Sequence, residues 1–394
     1  MGVGPAGRRV GPANFPSWSA TAAAKQAAVS RIYLDDASSA PVFDEVRQAL
    51  RQLPESNPSS PYGEGRAARA ALDAARDMAA RALSAGRTEV TFTSSGTEAV
   101  NLALFGAARR LGARGIIATW ASEHHSVLGA ARRLQSEGHT IAIKSVDRAA
   151  RADPDDIPNG AILVSIGLAN NEVGTIQPVA EIIHRAHEID ALVHVDACAG
   201  PRWIPIPAGA DLVSLSGHKL GAGRGGILLV RDGVRIDPLF YGGPQEWGRR
   251  AGHEDVNAAT AIATALVICA RDRETQKTKA AGQAESLRGL LEELGGVLTC
   301  AEPHLPNYAS CAFSDRRGED LLLSLDLAGI AASSGSACAS GSLDPSHVLL
   351  AMGLDLKAAL GSLRLTTGYS TTDAEVSRAR AIISSALERT PVDA

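Results

Sequence analysis

Seven short segments rich in Val, Ile and Leu recur between residues 89 and 230, and they constrain the fold more than any other feature of the chain. They cover residues 89–93, 115–119, 140–144, 161–166, 191–195, 211–215 and 226–230, and Gly, Asp or Asn bounds them. Several are apolar throughout rather than alternating, as strands covered on both faces are. Helical patterns at 98–111, 125–135 and 179–189 fall between several of them. Strand–helix alternation of this kind builds βαβ units and a mostly parallel sheet. The prediction is an α/β fold: a mostly parallel seven-stranded sheet with helices on both faces. Ligands of such sheets bind beyond the carboxyl ends of the strands, so the residues that follow each strand are where chemistry is sought.

The pattern changes near Asn257. A helical stretch over 258–294 contains no Pro, and strands at 296–300, 309–313 and 363–367 precede a last helix at 373–388. The expected organisation is a large domain at 50–262 and a smaller α+β domain made of 32–49 and 263–394. A chain of 394 residues is too long for one simple core, and 45% hydrophobic with 21% charged residues is a soluble globular composition. Residues 1–31 carry Arg8, Arg9, Lys25 and Arg31 but no acid. That is the composition of an organellar transit segment or of a disordered extension rich in Ala, Gly and Pro.

No apolar run approaches the length of a membrane span. The net charge of −4 gives no basic excess for a nucleic-acid or anionic-membrane surface, so neither direct nucleic-acid binding nor membrane association is expected. The five cysteines, Cys198, Cys269, Cys300, Cys311 and Cys338, are scattered and form no C-x-x-C pair. Neither a zinc site nor a disulfide framework is indicated, and a reducing, cytoplasmic setting fits. Cys198, Cys269 and Cys311 lie in apolar runs and read as core thiols.

The strongest local signal is Ser216-Gly217-His218-Lys219, between two of the apolar segments. A lysine there can bind an aldehyde cofactor covalently, and Ser216 and His218 can hydrogen-bond a phosphate. A polar, glycine-rich turn with a solvated lysine reads equally well from this stretch alone. Asp196 ends its strand where a pyridinium nitrogen would need a counter-ion, or where a turn would use an Asp. Ser94-Ser95-Gly96-Thr97-Glu98 joins a strand to a helix, an arrangement that suits a phosphate or an ordinary helix cap. Asn170-Asn171 follows another strand. Glu123-His124-His125 offers an imidazole that can stack on a ring and move protons; adjacent histidines without further clustered ligands do not make a metal site. Cys338 sits among small residues, Ser333-Ser334-Gly335-Ser336-Ala337-Cys338-Ala339-Ser340-Gly341-Ser342. Nothing apolar there buries the thiol, as a nucleophile requires. Arg364, among apolar neighbours, suits a bidentate carboxylate contact or a structural ion pair.

With these motifs in order, the chain resembles the cysteine desulfurases, in the class V branch of fold-type-I pyridoxal-phosphate enzymes. The likeness runs from Tyr33-Leu34-Asp35 to the last helix. It is most specific over residues 333–348, which resemble the cysteine loop and the following Leu-Asp-Pro-Ser-His-Val of the longer-loop group. The resemblance implies pyridoxal 5′-phosphate as cofactor, L-cysteine as substrate, and alanine plus a persulfide on Cys338 as products. It implies that Lys219 holds the cofactor and moves the α-proton, and that Asp196 pairs with the ring nitrogen. His124 would stack on the ring as a proton donor or acceptor. Gly96, Thr97, Ser216 and His218 would hold the phosphate, Asn171 would touch the ring's phenolic oxygen or the substrate, and Arg364 would take the substrate carboxylate. A sulfur-acceptor protein and a homodimer are further implications, with a segment around Arg250 and His253 reaching the partner's phosphate. The acceptor pathway could be iron–sulfur assembly, nucleic-acid thiolation including DNA phosphorothioation, or a thio-metabolite.

The chain departs from the family pattern where Gln usually follows the ring-binding Asp by three residues, which is Ala199 here. It departs again where Thr usually follows Arg-Ala-Gly, which is His253 here. These departures suggest a specialised member. A selenocysteine lyase, another class V lyase, or a non-catalytic scaffold of the same fold are the competing readings.

Overall fold

The computed structural model describes residues 31–112, 115–335 and 344–389. Its strands and helices belong to the unit Ile32–Ala394. The expectation for the N-terminal extension and the position of Cys338 lie outside the described residues.

In chain order the strands are β1 (Ile32–Tyr33), β2 (Val90–Thr93), β3 (Ile116–Trp120), β4 (Thr140–Lys144), β5 (Ala161–Gly167), β6 (Leu192–Asp196), β7 (Leu212–Ser216), β8 (Gly226–Val230), β9 (Val297–Leu298), β10 (Tyr308–Ala312), β11 (Ile330–Ala331) and β12 (Ser362–Thr366). The central sheet has seven strands in the order β2-β8-β7-β6-β5-β3-β4. The run β7-β6-β5-β3-β4 is parallel, while β8 is antiparallel to both β7 and β2. The carboxyl ends of β2, β3, β5, β6 and β7 therefore lie along one edge. β6, β7 and β8 are buried on almost every residue, which is why β8 reads as an apolar run and β6 and β7 as runs interrupted only by His194 and Ser214 before their polar last residues.

Apolar clusters cover both faces of the sheet. One includes Val164, Val195, Val213, Leu215 and Leu229; the other includes Ile117, Leu163, Leu212, Leu228 and Val230 together with the helix Gly96–Leu111. The alternation of inward residues along β5 and β7 sends neighbours to opposite clusters, as a pleated strand must. A further cluster joins β10 and β12 to the last helix, Asp373–Arg389, through Ala309, Leu363, Leu365, Val376 and Ile383.

The helix Val256–Glu293 links the sheet to this cluster. Ile262, Leu266 and Cys269 near its start pack with the central sheet, and Leu287, Leu290 and Leu291 near its end pack with β10 and β12. Its first turn is capped by Asp255, whose Oδ1 accepts from the backbone N–H of Ala258 at 2.9 Å. The same helix packs against Gly63–Ala82. No helix among the described residues is long and apolar enough to cross a membrane.

Candidate active site

A cavity of about 270 Å³ opens beyond the shared edge of strand ends. Each strand contributes through the residues that follow it. After β7 comes the single helical turn Gly217–Leu220, which carries Lys219 and ends at Gly221 with φ of 84°. Only glycine adopts that left-handed turn without strain. Lys219 lines the cavity and has no hydrogen-bond or ion-pair partner among the described residues. Ser216 and His218 flank it, with Ser216 Oγ and His218 Nδ1 at 2.8 Å. Burial, reinforced by the charge of Lys219, pushes the His218 imidazole below its ordinary value, so it is neutral at neutral pH.

The helix Gly96–Leu111 begins at the same edge. Ser95 caps it, its Oγ accepting from the backbone N–H of Glu98 at 3.2 Å. Gly96 allows that helix start to press against β6 and β7. A Cβ at this position would lie 2.4 Å from Cys198 Sγ and 2.8 Å from Ser216 Cβ. Gly96 and Thr97 thus face the cavity beside Ser216 and His218, which concentrates hydrogen-bond donors and a helix N-terminus at one place.

Asp196 closes β6 and also lines the cavity; its Oδ1 accepts from the backbone N–H of Cys198 at 3.0 Å. After β3, His124 caps the helix His125–Ser136. Its Nδ1 accepts from the backbone N–H of Ser126 at 3.1 Å, which leaves the ring proton on Nε2. Burial first, then the charge of Lys219, holds His124 below the ordinary imidazole range. After β5, Asn170 builds a tight turn: its Oδ1 accepts from the N–H groups of Glu172 and Val173 at 2.8 and 3.0 Å. The carbonyl oxygen of Asn171 in that turn accepts from Arg364 Nη1 at 2.7 Å and from the hydroxyl of Tyr308 at 3.1 Å.

Arg364 reaches the cavity from β12. It is buried, and its Nη2 donates to Asp35 Oδ1 at 2.9 Å and to Ser38 Oγ at 2.7 Å. Its Nε is buried without a partner among the described residues. With both terminal nitrogens anchored, the guanidinium is held in place at the cavity wall, where its charge suits a carboxylate in the cavity.

The sequence profile of the family described as aminotransferase class-V matches residues 32–379. The chain is 37% identical over 374 residues to the cysteine desulfurase IscS of Dictyoglomus turgidum, an alignment covering 91% of this chain and 95% of that one. The chain belongs to the cysteine desulfurases of the class-V aminotransferase family. Among solved structures it resembles a NifS-like protein with a TM-score of 0.85 at 30% identity, covering 91% of this chain and 99% of that chain. A structure of SspA in complex with cysteine is similar with a TM-score of 0.73 at 28% identity, covering 85% of this chain and 98% of that chain.

The enzyme is accordingly dependent on pyridoxal 5′-phosphate, and the residues of the cavity fit that group. A partnerless lysine amine suits its aldehyde, a strand-end carboxylate its ring nitrogen, and the Gly96–Thr97 helix start with Ser216 and His218 its phosphate.

The structure thus gathers Gly96, Thr97, His124, Asn171, Asp196, Ser216, His218, Lys219 and Arg364 in one cavity. It does not bring His253 there. That residue stands in two other grooves, one with Arg224, Arg250 and Glu254, the other with Phe240 and Tyr241. Cys198 corrects an expectation. Its apolar neighbours give it the look of a core thiol, yet it lines the cavity with Ala199, because the chain turns at the end of β6 and exposes residues that follow it. Burial first, and the neighbouring Asp196 carboxylate after it, keep its thiol protonated.

Glu123 receives no role from the sequence. Its carboxyl group is buried on the cavity wall, with Oε1 accepting from the backbone N–H of Gly167 at 2.9 Å. Burial, and then the Asp196 carboxylate, push it from 4.5 up to about 8. A carboxyl group whose folded value is raised stabilises the fold most below its unfolded value and loses that contribution as pH climbs to the folded one. Between pH 4.5 and 8 the folded enzyme should therefore lose on the order of 4 kcal/mol through this group. Glu123→Gln, which keeps the shape without the ionisation, should flatten that fall in urea unfolding at about pH 5 and about pH 8. Parallel pH dependences for the two proteins would refute it.

Proposed function

We propose that the enzyme converts L-cysteine to L-alanine and leaves the sulfur as a persulfide on Cys338, from which an acceptor protein takes it. The observation that carries this reading is the convergence of a partnerless Lys219 amine and a buried, positioned Arg364 guanidinium on one cavity. An amino acid presents the matching pair of groups, an amine for cofactor exchange and a carboxylate for Arg364.

When bound, pyridoxal phosphate supplies an electron sink next to the substrate's α-carbon. Lys219 Nζ would hold the cofactor, and that same amine would take the substrate's α-proton. Asp196 would pair with the ring nitrogen. His124, with its proton on Nε2, would stack on the ring and give or take a proton at the substrate. Gly96, Thr97, Ser216 and His218 would hold the phosphate, and Asn171 would touch the ring or the substrate. Arg364 orients the substrate by its carboxylate. The Cys338 thiolate attacks the substrate sulfur and the carbon–sulfur bond breaks. The electron pair returns to the carbon skeleton, which is protonated to alanine, so one thiol and one cysteine give one persulfide and one alanine.

The functional form is a homodimer in which the segment carrying Arg250 and His253 serves the partner's phosphate. Those side chains lie away from this chain's own cavity, beside the exposed aromatics Phe240 and Tyr241. A reducing, cytoplasmic compartment suits a thiol that must be regenerated after each transfer.

The test is direct. The purified enzyme should show an absorbance band in the near-ultraviolet-to-violet range that changes on adding L-cysteine, and with a thiol reductant it should release alanine and sulfide in equal amounts. A protein that stays colourless and inert after pyridoxal phosphate is supplied would overturn the reading and leave a scaffold of the same fold.

A further inference from the structure

The turn that follows β5 does more than line the cavity. Glu172, buried within it, projects its carboxyl group to the place where the chain leaves β11 for residue 335 and returns at residue 346. Ser346 Oγ donates to Glu172 Oε2 while accepting from the backbone N–H of Leu349 at 3.1 Å, so the contact also fixes the start of the helix His347–Ala351. On the outgoing side, Gly335 passes close against the same carboxyl group. A Cβ there would lie 2.9 Å from Glu172 Oε2 and 3.0 Å from Ser346 Cβ. The Gly335 backbone N–H is held by Ser362 Oγ at 3.1 Å.

The returning side has further anchors. His347 Nε2 lies 2.9 Å from the carbonyl oxygen of Glu123 and its ring is 4.4 Å from that of His125, while Val173 packs with Val348, Leu349 and Met352. One carboxyl group thus meets both ends of the chain segment that contains Cys338, and it belongs to the turn whose Asn171 carbonyl holds Arg364.

We propose that Glu172 is a positioning residue for sulfur transfer, its carboxyl group bonding the Ser346 stem of the Cys338 segment, and packing against the Gly335 stem, from the turn that carries the substrate side of the cavity. This rests on the reading of Cys338 as the sulfur-receiving thiol. Holding in place a stem that leads to a reacting group is a contribution to its positioning, so the contact acts on the transfer step and not on cofactor or substrate binding. Burial pushes the Glu172 carboxyl from 4.5 up to about 7, against the opposing pull of Ser346, Arg364 and Lys219. Its neutral form is well populated at working pH, and glutamine is a close mimic of it.

The experiment mixes L-cysteine rapidly with holoenzyme variants and reads two signals: the cysteine-dependent absorbance change, and persulfide on Cys338 by mass spectrometry of the quenched protein. Glu172→Ala should keep the absorbance change within about twofold and slow persulfide formation at least about tenfold. Glu172→Gln should restore most of that rate. Ser346→Ala, which removes the other half of the contact and leaves Glu172 in place, should show the same split. If Glu172→Ala slows both signals equally, or slows neither, or if Glu172→Gln is as slow as Glu172→Ala, the positioning role is overturned. Should the unmodified enzyme itself release sulfide with no persulfide on Cys338, the failure lies in the reading of Cys338 instead.

Discussion

Lys219→Ala should purify without the violet-range band of the holoenzyme and should release alanine from L-cysteine at least about 10³-fold more slowly, the loss expected when a covalent anchor and a proton-transferring amine vanish together. The expectation follows from how the amine is placed. Lys219 sits on a single helical turn between Ser216 and Gly221, a turn that the antiparallel pairing of β7 with β8 pins at its base. Its amine is not held by any described acceptor, so it is available to a carbonyl and then to a substrate proton. Its charge also acts on its neighbours: it is among the causes that hold His124 and His218 below the ordinary imidazole value. With both proteins free of cofactor and substrate, the two imidazoles should therefore titrate at higher pH in Lys219→Ala, an effect visible by NMR. A variant that retains cysteine turnover within about tenfold would show that the chemistry resides elsewhere than in this cavity.

The strands of the central sheet are the legible part of the fold. β4 and β8 match the sequence expectation residue for residue, and β2, β3, β5, β6 and β7 agree within one residue at each end. Burial on both faces keeps β6, β7 and β8 mostly apolar, and β4 stands out although it is partly exposed, because Ile141, Ala142 and Ile143 fill its middle. The helix Gly63–Ala82 is hidden in the sequence because its buried face is built from Ala68, Leu72, Ala75 and Ala79. Alanine is common on exposed helix faces as well, so the periodic signal is faint even though the residues are good helix formers. β1 and β11, two residues each, pair only with one another across about 300 residues of chain, and nothing local announces such a contact. The helix Gly318–Leu327 is hidden for another reason: Leu323 and Leu327 are exposed while Leu321 and Leu325 are buried, so its leucines do not mark one face.

The site divides in the same way. Residues that end or follow a strand, such as Asp196, Lys219 and His124, can be placed because the strand itself is visible and the ligand side of a parallel sheet is known in advance. The contribution of Asp35 and Ser38, which hold Arg364 from the chain's beginning, depends on a pairing of residues some 330 positions apart. Glu172 is visible as part of a motif, yet its meeting with Gly335 and Ser346 is a property of the folded chain alone. Ala199 is the reverse case, conspicuous in sequence as a missing amide and found in the cavity wall beside Cys198. Ala199 also lines a small neighbouring cavity with Cys198 and the polar pair of Arg202 and Asp36, whose nitrogen and oxygen lie 2.6 Å apart.

Cys338→Ser should keep the cofactor band and its response to L-cysteine, and should lose alanine and sulfide release together by at least about 10³-fold. Serine preserves the size and polarity of the side chain but replaces a thiol, a few per cent ionised near neutral pH and strongly nucleophilic, with a hydroxyl that is neither. On the proposed reading Lys219, Arg364 and the other cavity residues bind the substrate, all of them in described elements that do not include residue 338, so the spectral response has no reason to change. Product release is different, because in the proposed persulfide mechanism the carbon–sulfur bond breaks only as the Cys338 thiolate accepts the sulfur. The split separates the desulfurase from its nearest competitor within the same fold. A lyase that expels sulfide without an acceptor thiol would keep releasing alanine and sulfide in Cys338→Ser at close to the unmodified rate. Three of the other cysteines are poorly placed to stand in: Cys269, Cys300 and Cys311 are buried, and burial pushes the thiols of Cys269 and Cys311 upward. Cys198, the described thiol that does reach the cavity, is kept protonated by its burial and by Asp196. Retained persulfide on the protein in Cys338→Ser would point to Cys198, and the double variant Cys198→Ala, Cys338→Ser would then have to abolish it.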